Sequence, residues 1–176
     1  MKLPVALWLA AGLFSGAIAV GPATAQSSLP GEVVANVCMP YANRARSFER
    51  SISTAREMKF RRPSEHRNIP LEDYASEIDM VLQDGGWRVR LEEGSIEYGD
   101  GEAYAVTCSL SSPRASLMEL TTLARSLLRD ERYWSSQPGT RRWERLGRNS
   151  EERRLEVEVV ATEGQRPTLV VRGLYF

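Results

Sequence analysis

Histidine occurs once in the 176-residue chain, at His66 between Glu65 and Arg67, so imidazole base catalysis has a single place to happen. The loop it sits in, flanked by Pro63 and Pro70, reads as exposed. Cys38 and Cys108 are the only thiols, and with one histidine they cannot assemble the ligand set of a zinc site. The chain has no G-x-S-x-G elbow, no P-loop, no H-E-x-x-H helix and no acidic run at EF-hand spacing. The sequence therefore implies no metal, no cofactor and no nucleophile–base pair.

Carboxylates are the remaining candidates for chemistry. Glu77 with Asp79, or Glu97 with Asp100, could supply the two acids of a glycosidase-like mechanism. Any acidic surface strand offers such pairs, so they mark a competing reading rather than the main one.

Charge is the more distinctive pattern. From 43 to 67 eight basic residues face three acidic ones, whereas from 71 to 104 ten acidic residues face only Arg88 and Arg90. The basic stretch, with Arg61 and Arg62 next to Pro63, is a candidate surface for an anionic partner. The competing role is neutralisation against the acidic segment inside one domain. Trp134 and Trp143, with Tyr133, surround a Ser-Ser-Gln-Pro-Gly turn; beside arginines they form either a glycan or peptide platform or a cover for one edge of the core. Arg61, Arg62, Trp134 and Trp143 are thus the candidate binding residues. Equal numbers of acidic and basic residues, 23 of each, give no electrostatic reason to expect nucleic acid.

These residues depend on elements whose location is set by the first segment of the chain. Lys2 precedes an apolar run over 5–20, and Ala23-Thr24-Ala25 then offers a small-x-small site with cleavage between Ala25 and Gln26. The run is shorter than the roughly 20 apolar residues of a membrane span. Residues 1–25 are expected to be a signal peptide, 26–31 a mobile lead-in, and 32–176 a single domain of a size that buries its own core. The expected location is periplasmic or secreted, with no membrane span left after cleavage. In that compartment two cysteines read as one disulfide, Cys38–Cys108.

Apolar residues at helical spacing predict a helix over 32–39, interrupted by Pro40, and a second over 45–58 that buries Phe48 and Ile52. Residues 74–82 fit both a helix and a strand. The Asp84-Gly85-Gly86 turn and the Trp87-Val89-Leu91 alternation favour the strand. A meander with breaks at Glu93-Gly94 and Asp100-Gly101 leads into a strand that carries Cys108 on its core face. Ser112-Pro113 is expected to open a leucine-rich helix, and Glu163-Gly164 to turn a C-terminal hairpin. The fold class is α+β, an antiparallel sheet of about five to six strands with two to three helices packed on one face, in the order αα-βββ(β)-α-ββ. The function read from this set is a non-catalytic binding or inhibitory module of the bacterial envelope. Its expected partner is an envelope protein or an anionic glycan. An envelope hydrolase using paired carboxylates and a structural envelope protein are the alternatives.

Overall fold

The computed structural model describes residues 28–63, 76–82, 86–128, 134–136, 139–146 and 153–176. The expected cleavage position between Ala25 and Gln26, His66 and residues 83–85, where a turn is expected, lie outside them.

The chain enters through three consecutive helical pieces: α1 (Leu29–Val33), a π-helical turn (Val34–Cys38) and α2 (Met39–Ala42). The helix begins before Glu32 because Ser28 and Pro30 provide an extended lead and a proline tolerated in a first turn. It also runs through Pro40 instead of stopping there. Met39 N–H donates to the Val34 carbonyl, one residue further back than in an α-helix, so the ladder has already widened where proline supplies no N–H. The Asn36 carbonyl, the one an α-helical residue 40 would use, accepts from the Arg46 guanidinium.

Helix α3 (Phe48–Glu57) starts where the Ser47 hydroxyl accepts from Arg50 N–H at 3.4 Å. Ile52 and Ala55 are buried, but Phe48 is only half-buried, tilted against the Tyr41 ring with centroids 6.1 Å apart, and Ala45 is exposed. Helix α4 (Leu117–Leu127) starts later than Ser112-Pro113 suggested. Its cap is Ser116, whose hydroxyl accepts from Glu119 N–H at 3.1 Å in an S-x-x-E arrangement. The Ser112 hydroxyl instead closes a local turn onto Arg114 N–H.

The sheet is larger than five to six strands. Among the described residues eight antiparallel strands are arranged β1-β2-β3-β4-β8-β7-β6-β5: β1 (Phe60–Arg61), β2 (Ser76–Leu82), β3 (Arg88–Tyr98), β4 (Gly101–Ser111), β5 (Ser135–Ser136), β6 (Arg142–Leu146), β7 (Arg153–Val160) and β8 (Thr168–Tyr175). β1, β5 and β6 lie outside the expected order, and of these β1 and β5 are two-residue strands at the edges, too short to template another chain. Residues 76–82 are a strand. Strand β3 also continues through Glu93-Gly94 without a break, because Gly94 stays in register opposite Ala105. Gly99, at φ 61°, takes the first position of the two-residue turn into β4.

One face of this sheet and the helices share a single core. Ile78, Met80, Val89, Leu91, Val106, Leu110, Val157, Leu169 and Val171 join Val33, Val37, Ile52, Leu120 and Ala124 in one buried cluster. Cys38 and Cys108 are joined inside it, with Cα atoms 5.1 Å apart, tying the N-terminal helical segment to β4. Gly173 in β8 lets the end of α2 approach more closely than any side chain would allow. Among the described residues no helix is long and apolar enough to cross a membrane.

Candidate functional site

The residues singled out from the sequence do not meet in one place. Arg61 is exposed, but its guanidinium donates to the carbonyls of Arg56 at 2.8 Å and Phe60 at 2.9 Å, closing the end of α3. Arg62 is half-buried. Trp143 is buried in the core opposite Val157, which removes it from any binding platform. Trp134 packs half-buried against the same core, with the Arg145 guanidinium 5.3 Å from its ring centre. The aromatic pair therefore covers a core edge.

The acidic residues expected to oppose the basic stretch find partners elsewhere. Among the described residues, the arginines of 43–62 make no salt bridge to the acidic strands. Asp79 pairs with Arg88 at 3.4 Å, and Arg90 holds both Glu77 at 2.8 Å and Glu92 at 2.7 Å. Glu77 and Asp79 alternate on one strand face as the spacing implied, but guanidinium groups occupy them. Glu97 is itself exposed near the end of β3, on the face that carries Leu91, and Asp100 is exposed in the turn.

The same sheet face carries a second set of ion pairs. Glu156, 2% exposed, accepts from Arg142 at 2.6 Å and from the Tyr98 hydroxyl at 2.9 Å, with Arg172 at 3.7 Å. The Tyr98 oxygen in turn accepts from Arg154 at 2.6 Å. Glu144 pairs with Arg142 at 3.0 Å and Arg154 at 3.6 Å. In this network each carboxylate is held by a guanidinium, while Arg142 Nε and Arg154 Nε are buried without a hydrogen-bond partner.

A different arrangement stands where α2 ends on the sheet. The register of β4, β8 and β7 puts Tyr104, Tyr175 and Arg153 in one cross-strand row. The Tyr175 hydroxyl donates to the Ala42 carbonyl at 2.7 Å, and Arg153 donates to the Asn43 carbonyl at 2.8 Å and to its side-chain oxygen at 2.6 Å. These contacts fill the carbonyls that a helix end leaves open. Arg44 follows in the left-handed region at φ 52°, with its N–H on the Tyr41 carbonyl at 2.8 Å. That turn places its guanidinium over two neighbouring rings, 4.6 Å from the centre of Tyr104 and 4.5 Å from that of Tyr175. Arg153 lies over the same Tyr175 ring at 5.5 Å. Among the described residues neither Arg44 nor Arg153 has a carboxylate in salt-bridge contact. Glu93, on this side of the sheet, accepts instead from the Tyr41 hydroxyl at 3.3 Å.

Sequence reasoning passed over this cluster because Arg44 looked like one more charge on a basic helix. The available signal was its place just after the helix, beyond Asn43, where a side chain leaves the helical register.

The tyrosines around the cluster also set a pH limit. Burial, and then the Glu93 charge, push the Tyr41 phenol far above its usual range. Burial likewise raises Tyr104, opposed by Arg44, and Tyr175, opposed by Arg153 and Arg44. A phenol raised in the fold stays neutral while the unfolded chain ionises near pH 10, so stability is intact below about pH 10 and falls above it. The denaturant midpoint is expected to drop between pH 9 and about pH 11, with a smaller drop in Tyr41→Phe. An equal drop in that variant would locate the effect elsewhere.

Comparison with protein-family models, curated proteins and solved structures gives no match to this chain.

Proposed function

We propose that this chain is an exported, non-catalytic binding module of the bacterial envelope, which captures an anionic partner at the Arg44–Arg153 cluster. One observation carries this reading: two guanidinium groups converge over a single tyrosine ring and, among the described residues, neither has a carboxylate in salt-bridge contact. The paired arginines on the opposite sheet face are the contrast, since their charge is already balanced. An envelope protein with an acidic surface or an anionic glycan fits such a site. Export rests on the leader-like first 25 residues, and a buried cysteine pair suits an oxidising compartment.

The test is capture of envelope proteins and glycans by the mature chain at low and high salt. Wild-type protein is expected to retain anionic material at low salt and release it at high salt. Replacing both Arg44 and Arg153 by glutamine should abolish capture. Replacing Arg61 and Arg62 by alanine should leave it largely intact, because Arg61 serves the end of α3. Undiminished capture by the Arg44/Arg153 double variant would overturn the assignment of the site.

A further inference from the structure

We infer that Arg44 is a preorganised fork for an oxyanion presenting two oxygens to one guanidinium edge, a carboxylate, phosphate or sulfate group of the partner. This inference rests on the binding reading above and specifies the chemistry its site accepts.

The Arg44 guanidinium carbon lies over two neighbouring rings, 4.6 Å from the centre of Tyr104 and 4.5 Å from that of Tyr175. The rings hold the group in place, and the residue as a whole is exposed, so its guanidinium is accessible to an acceptor from solvent. Planar two-point donation of this kind is what arginine offers and lysine does not.

The open carbonyls of the helix end would be the ordinary reason for an arginine here. They are already served: Tyr175 takes Ala42, and Arg153 takes Asn43. Arg44 is held by the two rings, with the Tyr104 hydroxyl beside it, rather than by the helix-end carbonyls. Its side chain is thereby fixed before any ligand arrives, which lowers the entropy lost on binding. Its backbone is also in a conformation that L residues seldom adopt, so arginine at this position carries a local cost that glycine would not. Arg153, fastened to Asn43 and lying over the same ring, adds a second positive charge beside the fork.

The experiment follows the guanidinium N–H resonances of Arg44 and Arg153 while acetate, inorganic phosphate or sulfate is added to the mature chain. Sodium chloride at matched ionic strength is the control. The expected result is a saturable shift of the Arg44 signal with at least one oxyanion and none with chloride. The three anions tell a carboxylate-bearing partner from a phosphate- or sulfate-bearing one. Arg44→Lys keeps the charge but loses the fork, and binding read on the Arg153 signal should weaken at least tenfold. Arg44→Gly suits the left-handed backbone and keeps the variant folded, so loss of the oxyanion response of the Arg153 signal there is loss of the Arg44 side chain.

Equal affinity in Arg44→Lys, or a chloride response as large as that of the oxyanions, would overturn the fork. If no oxyanion perturbs Arg44 while envelope capture persists and still needs Arg44 and Arg153, the fork fails and the binding reading stands. If capture fails as well, both fall.

Discussion

Gly173→Ala is expected to destabilise the protein by about 3 kcal/mol, toward the upper end for overpacking a core. Gly173 sits in β8 between Val106 of β4 and Leu155 of β7, with the end of α2 lying directly on it. A Cβ at this position would stand 2.0 Å from the Ala42 carbonyl oxygen and 3.0 Å from its carbon. Those atoms are backbone, so no rotamer change relieves the overlap. Nor can the helix end simply lift away. Four residues earlier it is bonded through Cys38 to β4, and the Ala42 oxygen itself accepts from Tyr175. The strain must move either the helix or the central strand, and both are core. Denaturant unfolding of Gly173→Ala against wild type measures the cost. An unchanged midpoint would mean that α2 does not rest on β8. The same substitution should loosen the Arg44 cluster, since Asn43 and Arg44 follow the displaced carbonyl directly.

Much of this packing was legible in the residues. Alternation in 87–91 and 104–110 gave strand faces correctly, because a half-buried strand must alternate, and it placed Cys108 toward the core. Tertiary pairing settled 76–82, where periodicity alone fitted two states: Ile78 and Met80 face inward opposite Leu91 and Val89. Boundaries were less legible. Pro40 and Ser112-Pro113 were read through average preferences, whereas the outcome was fixed by particular carbonyl partners. Arg46 satisfies Asn36 across ten residues of sequence, and Ser116 has Glu119 three residues on where Ser112 has Ala115. The two-residue edge strands were invisible because nothing so short has a period.

The candidate site was less legible than the fold. Arg61 and Trp143 were reasonable choices by exposure rules, but one donates to its own helix end and the other fills the core. Arg44 acquires its meaning only when three strands bring Tyr104, Tyr175 and Arg153, scattered from 104 to 175, into one row. A single sequence holds no local trace of that row. It did show an excess of arginine in 43–67, although among the described residues none of those arginines forms a salt bridge with the acidic segment 71–104.

Replacing Cys38 by alanine should cost about 4 kcal/mol, a large fraction of the stability of a domain this size. The bridge joins residues 70 apart, and closing so long a loop removes much of the freedom of the unfolded chain. It also crosses between layers, from the π-helical turn to β4, where both cysteines are buried. Cys108→Ala should cost nearly as much. The double variant should cost little more than either single one, because the same covalent link is lost once. Wild-type protein unfolded in the presence of dithiothreitol should approach the alanine variants, while the variants themselves should ignore the reductant. Thiol labelling of unfolded, unreduced protein should find no free cysteine. Two labelled cysteines, with a midpoint indifferent to dithiothreitol, would show that core packing alone holds the N-terminal helical segment to the sheet. The position of Arg44 would then depend on Tyr175, Gly173 and the Val33–Val37 packing rather than on the covalent tie.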